Sequence, residues 1–314
     1  MPGSGSKSAQ SVQQRPDPGV GAGDGARGEF RVVQSVHIYP ECYACISHLA
    51  KAAMDIAEVD DATQVAHLRQ VLVIASQHDP DTPPPSMARE VFDFLQSAMN
   101  EKDLYRQIKI ESNQLAMGFY LRLKRLVRQG EDQFLQALKI AGTGNIIDVA
   151  HSEKYDLWEE VVRQVSQPIL GDSAAEFKQQ LAAHDSLLYL ADNAGETVFD
   201  RVLIEEINIP VVYAVKGGPA MNDATLEDAL AAGIDQVAEI VETGSRTPGT
   251  YLEDCSPAFR ERFNQAGLVL SKGQANYETL DGQGEKMYFL LRIKCPIVAR
   301  SIGYPVGRLV LKQG

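Results

Sequence analysis

The stretch Tyr189–Asp200, "YLADNAGETVFD", puts an acid and an amide where an apolar run gives way to a helical pattern. The preceding residues 186–191, "SLLYLA", have the length and apolar character of a short buried strand. The following residues 197–207, "TVFDRVLIEEI", carry apolar side chains at three- and four-residue spacing, which predicts a helix. Asp192, Asn193 and Glu196 therefore lie on the turn between a strand and a helix.

The same alternation continues towards the C-terminus. Helical patterns separate the short apolar runs, and such an order is typical of right-handed βαβ crossovers and a parallel sheet. The further predicted strands are "VVYAV" (211–215), "VAEIV" (237–241), "LVLS" (268–271) and "YFLLRI" (288–293), and the intervening helices are "DATLEDALAAG" (223–233) and "AFRERFNQA" (258–266). The predicted fold class is α/β, with a Rossmann-like, mostly parallel sheet flanked by helices.

The N-terminal half has a different pattern. Between about residues 42 and 140, five segments show helical apolar spacing and are separated by Pro, Asp, Asn or Gly. Residues 1–28 are rich in Gly, Pro, Ser and Gln, a composition typical of disorder. We predict a disordered tail at 1–28, an all-helical module at 29–170 and an α/β domain that binds metal and phosphate at 171–314.

Composition narrows the class of protein. Of the 314 residues, 44% are hydrophobic and 23% are charged, and the formal net charge is −12. This acidic balance, without a dense Lys/Arg run, argues against nucleic acid as a partner. We expect no membrane span and no secretory signal, because the sequence has no apolar run of the required length. Four cysteines without a regular spacing fit a reducing, cytoplasmic setting.

Polar residues follow several predicted strands, and in an open α/β sheet the carboxyl ends of the strands form the ligand crevice. Asp192, Asn193 and Asp223 lie one βαβ step apart and offer only oxygen donors, a set suited to a divalent ion such as Mn²⁺, Mg²⁺, Co²⁺ or Ni²⁺. Lysines and glycine-rich turns on the same rim would suit a phosphate. The predicted phosphate-binding residues are Lys216, Ser245, Lys272, Gly273 and Asn276. Singly, such acids are more often helix caps and such lysines surface charges, so the prediction depends on the whole set.

Seven segments, in this order, resemble the metal-dependent damage-control phosphatases, a family also catalogued as the domain of unknown function numbered eighty-nine. They are "CYAC" (42–45), "SNQLA" (112–116), "AGTGNIIDVA" (141–150), "DNAGETVFDRVLIEEI" (192–207), "VKGGPAMNDATLEDA" (215–229), "SRTPGTYLEDCS" (245–256) and "SKGQANYETL" (271–280). The resemblance implies an α/β sheet domain with an attached helical bundle and hydrolysis of phosphomonoesters.

It also implies site residues. The metal ligands would be Asp192, Asn193 and Asp223, while Glu196, Lys216 and Lys272 fall at other positions of the family's site, and "NYET" adds Asn276 and Glu278. An additional Thr-Gly in "AGTGNIID" separates this chain from the family's pattern around Asn145 and Asp148.

The functional hypothesis is a divalent-metal-dependent phosphatase that hydrolyses small phosphomonoesters, such as sugar phosphates or damaged phosphometabolites, by attack of water. Its catalytic residues would be Asp192, Glu196, Lys216 and Lys272, with Glu196 or Asp192 orienting or deprotonating the water. Two alternatives stay open: a methyltransferase dependent on S-adenosylmethionine, and a non-catalytic binding scaffold. The first lacks the Gly-rich turn expected after the first strand, where "DNAGE" stands.

Three matters are not decided by the sequence. "CYAC" places two thiols at the start of a predicted helix, where a structural role comes first and a redox or a metal-binding role stays open. A phosphate-binding rim suits many small phosphorylated metabolites as substrate. The oligomeric state is the third.

Overall fold

A seven-stranded sheet carries the C-terminal half of the molecule, in the order β1-β7-β6-β5-β2-β3-β4. The computed structural model describes residues 36–144, 157–172 and 174–314. All neighbouring strands are parallel except β6 and β7. The strands are β1 (Leu170–Gly171), β2 (Leu187–Leu190), β3 (Val211–Val215), β4 (Glu239–Glu242), β5 (Val269–Lys272), β6 (Met287–Arg292) and β7 (Leu309–Gln313).

Twelve α-helices are found in the described residues. They are α1 (Pro40–Ile56), α2 (Asp61–Gln77), α3 (Pro84–Ala98), α4 (Arg106–Gln129), α5 (Gln133–Thr143), α6 (Leu157–Val165), α7 (Ala174–Ala183), α8 (Glu196–Ile204), α9 (Leu226–Ala231), α10 (Pro257–Gln265), α11 (Gln274–Leu280) and α12 (Pro296–Ile302).

The prediction of an α/β fold with a mostly parallel sheet and an N-terminal helical part is confirmed. All five predicted strands are present, as β2 to β6, whereas β1, β7, α11 and α12 were not predicted. The tail at 1–28, together with Asn145 and Asp148, lies outside the described residues.

Both faces of the sheet are covered by helices. Successive side chains of a strand point to opposite faces, so each strand contributes to two cores. Leu187 and Tyr189 of β2 join one core, whereas Leu188 and Leu190 join another. The first core includes residues of α4, α5 and α8, and the second includes residues of α10 and α12. A third core holds α1, α2 and α3 together. Helices α4 and α5 of the N-terminal half thus pack with the sheet, and the domain boundary at residue 170 stays a prediction.

Candidate active site

Most of the predicted site residues lie at or just after the carboxyl ends of three adjacent strands, β5, β2 and β3, and Ser245 follows the next strand, β4. Asp192 and Asn193 follow β2, Lys216 directly follows β3, and Lys272 is the last residue of β5. The parallel register aligns these strand ends, so residues far apart in sequence reach the same rim.

Main-chain hydrogen bonds join the loop after β2 to the loop that carries Asp223. The Ala194 N–H donates to the Asn222 carbonyl at 2.9 Å, and the Ala224 N–H donates to the Asp192 carbonyl at 2.8 Å. Asn193 and Asp223 form an isolated antiparallel bridge. The structure therefore brings the three predicted metal ligands side by side.

The two ligand carboxylates lie in a low-dielectric setting. Asp192 is 6% exposed and Asp223 is 4% exposed. Burial raises the pKa of Asp192 well above its ordinary value, and the nearby Glu196 carboxylate adds to this rise. Burial also raises the pKa of Asp223, although the Lys216 ammonium opposes it. A cation between these carboxylates would offset an unfavourable concentration of negative charge.

The two predicted lysines have different surroundings. Lys216 Nζ lies 3.4 Å from Asp223 Oδ2 and is buried, so its charge reaches the metal-ligand group directly. Lys272 Nζ donates to Glu196 Oε1 at 2.6 Å, to Asp200 Oδ1 at 2.6 Å and to the Ala141 carbonyl at 2.9 Å. An ammonium has three donors. Protein oxygens thus take all three donors of Lys272, and this lysine orients Glu196 beneath the rim.

Glu196 is poised for a further contact. Its Oε1 accepts from Lys272, whereas its Oε2 is buried and has no hydrogen-bond partner within the described part of the chain. Asp200, four residues later on α8, accepts from the Tyr189 and Tyr213 hydroxyls, each at 2.7 Å. A buried acceptor without a partner is costly unless a ligand or water completes it.

Gly273 forms the floor of the site beneath Asp192. Its φ of +83° belongs to the region that favours glycine. A Cβ at this position would lie 2.0 Å from Asp192 Oδ2, so only glycine lets the main chain approach the carboxylate this closely.

Ser245 and Asn276, both predicted to bind phosphate, are engaged in the protein itself. Ser245 Oγ donates to Asp254 Oδ2 at 2.7 Å and accepts from the Thr247 N–H at 3.0 Å. The Asn276 amide donates to two main-chain carbonyls and accepts from Thr250 Oγ1 at 2.7 Å. These two side chains shape the walls of the rim.

The donor set fits a hard divalent cation, with two buried carboxylates, an adjacent amide and the incomplete acceptor on Glu196. Asp192, Asn193 and Asp223 would hold it. Across residues 36–144, 157–172 and 174–314, no three His, Cys, Asp or Glu side chains form a metal cluster. The three predicted ligands would not form a cluster of that type, because one of them, Asn193, is an amide.

The cysteines are free thiols in the described chain. Cys42 and Cys45 lie in the first turns of α1, and burial raises the pKa of both. Glu278, on α11, accepts from Gln274 Nε2 at 2.9 Å, and burial raises its pKa to about 7.

Sequence reasoning missed Asp200 and assigned no role to Asn113. The spacing of Glu196 and Asp200 places both on one face of α8, which is a signal that could have found Asp200. Asn113 is the side chain that accepts from the Gly195 N–H of the turn, at 2.5 Å. Its "SNQLA" segment carries no recognisable chemistry on its own.

Comparisons with known proteins match this chain to a family. The model of the damage-control phosphatase ARMT1-like domain matches residues 38–310. The chain belongs to the damage-control phosphatase family. Among its relatives, a damage-control phosphatase of Pyrococcus horikoshii is 33% identical over 278 residues, covering 86% of this chain and 96% of that protein.

Two further similarities extend the comparison. A crystal structure of a DUF89 family protein from Pyrococcus horikoshii is 31% identical, with a TM-score of 0.81, and the match covers 88% of this chain and 99% of that one. A mouse 4′-phosphopantetheine phosphatase is 26% identical over 57% of this chain and 26% of its own length. Membership in the damage-control phosphatase family supports phosphatase, that is hydrolase, activity. In the described residues, no helix is long and apolar enough to cross a membrane.

Proposed function

We propose that this chain is a divalent-metal-dependent phosphatase that hydrolyses small phosphomonoesters, such as sugar phosphates or damaged phosphometabolites. The observation that carries the proposal is the main-chain pairing of Asn193 with Asp223, which sets two buried carboxylates and an amide beside the Lys216 ammonium. Mn²⁺, Mg²⁺, Co²⁺ and Ni²⁺ all accept such oxygen donors.

When bound, the cation supplies a Lewis acid for the phosphoryl group and for the attacking water. Lys216 stabilises the negative charge that develops on the transferred group, because its ammonium is held in a buried site of low dielectric. Glu196 Oε2, the oxygen without a partner in the described chain, accepts a hydrogen bond or the proton from the attacking water.

Lys272 acts through Glu196. Its ammonium donates to Glu196 Oε1, which leaves Oε2 as the oxygen that accepts from the attacking water. Gly273 provides room for the Asp192 carboxylate.

The family supports a proposal for the substrate class. The relatives' names describe phosphatases, and the mouse relative's name specifies a small phosphorylated cofactor fragment, 4′-phosphopantetheine. We infer a small phosphorylated metabolite as the substrate of this chain. Ser245 and Asn276 contribute by shaping the rim rather than through free donors.

The test measures phosphate release from p-nitrophenyl phosphate and a panel of sugar phosphates. Metal-stripped protein receives one ion at a time, beside Asp192→Ala and the exposed control Asp235→Ala. We expect activity to require an ion and to fall at least about a hundredfold in Asp192→Ala. Mutation of a residue that only hydrogen-bonds to a metal ligand already lowers metal affinity or activity about 10- to 100-fold. Full activity and metal binding in Asp192→Ala would contradict the assignment.

A further inference from the structure

A buried amide on α4 connects the two loops that carry the proposed metal ligands. Asn113 is 6% exposed. Its Oδ1 accepts from the Gly195 N–H at 2.5 Å, and its Nδ2 donates to Asp228 Oδ1 at 2.8 Å. Gly195 stands two residues after Asn193, so the first of these contacts holds the loop that follows β2.

The second contact reaches the other loop through Asp228. Asp228 Oδ2 accepts from the Thr225 N–H at 2.8 Å and from Thr225 Oγ1 at 2.7 Å, which caps the start of α9. Thr225 stands two residues after Asp223. One amide therefore links the segment of Asp192 and Asn193 to the segment of Asp223.

The orientation of this amide is fixed by its neighbours. The Gly195 N–H can only donate, and an ionised Asp228 carboxylate can only accept, so the Asn113 amide fits in one orientation. Lys109 Nζ, one turn earlier on α4, lies 3.8 Å from Asp228 Oδ2 and 2.8 Å from Asp103 Oδ2. This ammonium compensates the buried charge of Asp228.

We propose that Asn113 is a positioning residue for metal binding, one that sets the distance between the two ligand-bearing loops by hydrogen bonding to both. The inference rests on the proposed function, because it concerns the same metal site. Metal–ligand distances tolerate only about 0.2 Å of change, so a shift of one loop against the other weakens binding. Outer partners of a metal site are worth about 10- to 100-fold in affinity.

The experiment exchanges the two ends of one hydrogen bond. In Asn113→Asp, two carboxylates face each other across the former bond. In Asp228→Asn, the new amide cannot satisfy both Asn113 and Thr225. In the double variant Asn113→Asp/Asp228→Asn, the carboxylate at position 113 accepts from Gly195 and from the amide at position 228, whose oxygen accepts from Thr225. Every hydrogen bond is restored, and only the one between positions 113 and 228 has its direction reversed.

The readout is the Kd for Mn²⁺ alone, measured by calorimetry on metal-stripped full-length protein, with circular dichroism as the check of folding. We expect Kd to rise about tenfold in Asn113→Asp and to return within about threefold of wild type in the double variant. The exposed neighbour Gln114→Ala is the matched control and should keep the wild-type Kd.

The outcomes separate this inference from the proposed function. Wild-type protein that binds no Mn²⁺ overturns the proposed function and the inference together. Wild-type protein that binds Mn²⁺, beside a folded Asn113→Asp with the same Kd, overturns the inference alone. If Asn113→Asp does not fold, Asp228→Asn and the double variant decide: a loss of affinity in Asp228→Asn that the double variant restores supports the role of Asn113, and a wild-type Kd in both overturns it.

Discussion

The buried ammonium of Lys272 offers a sharp test of the electrostatics beneath the rim. Lys272→Met leaves Glu196 and Asp200 in a fully buried site without their cation, after loss of two hydrogen bonds of 2.6 Å. Removing one partner of a buried ion pair costs about 3–5 kcal/mol. The tyrosine hydroxyls still donate to Asp200, so the loss in unfolding free energy should lie near the lower end, about 3 kcal/mol.

The assay is urea unfolding of metal-stripped protein followed by far-ultraviolet circular dichroism. The loss should shrink as the pH falls, because burial raises the pKa of Asp200 and protonation of this carboxylate removes part of the uncompensated charge. The exposed control Lys102→Met should stay within about 0.5 kcal/mol of wild type. A folded Lys272→Met that loses less than about 1 kcal/mol at neutral pH would refute the reasoning, since it would mean that the ammonium does not compensate two buried charges.

Two further predictions concern Gly273 and Glu278. Gly273→Ala should abolish Mn²⁺ binding, because the new Cβ would displace the Asp192 carboxylate. The control is Gly282→Ala, which has a similar backbone strain at φ +87° but open space around the new Cβ. This control should leave the calorimetric Kd for Mn²⁺ unchanged. Glu278 has a pKa of about 7 when folded against an ordinary 4.5, so the folded chain binds the extra proton and loses stability as pH rises from about 4.5 to about 7. Glu278→Gln should therefore raise the Tm of metal-stripped protein at pH 8 more than at pH 5, and an equal change at both would contradict this cause.

Much of the fold could be predicted from the sequence, because its central strands are short apolar runs between helical patterns. β1 and β7 could not be found in this way. β1 spans two residues, and β7 ends in Lys312 and Gln313, so neither gives an apolar run of strand length. Their pairing with each other and with β6 decides that they are strands.

The site shows a similar division. Residues at strand ends could be collected on one rim, because the topology of a parallel sheet places them there. The partners of each side chain could not be predicted, since they depend on packing between distant segments. Lys272 looked like a phosphate ligand by its charge, yet Glu196, Asp200 and the Ala141 carbonyl take all of its donors. Asn113 meets Gly195 only through the packing of α4 on the sheet domain.

The two ligand loops are paired through main-chain atoms, so the shape of the site does not depend on which side chains stand at the ligand positions. Ala194, Asn222, Ala224 and the Asp192 carbonyl would make the same hydrogen bonds whichever side chains stood at the ligand positions. One ligand side chain could then be replaced by another in evolution, which would change the charge of the site by one unit at a time. The paired loops that present the ligand would keep their shape. Proteins that share these paired loops could change their preferred metal, or the charge of their substrate, through single substitutions.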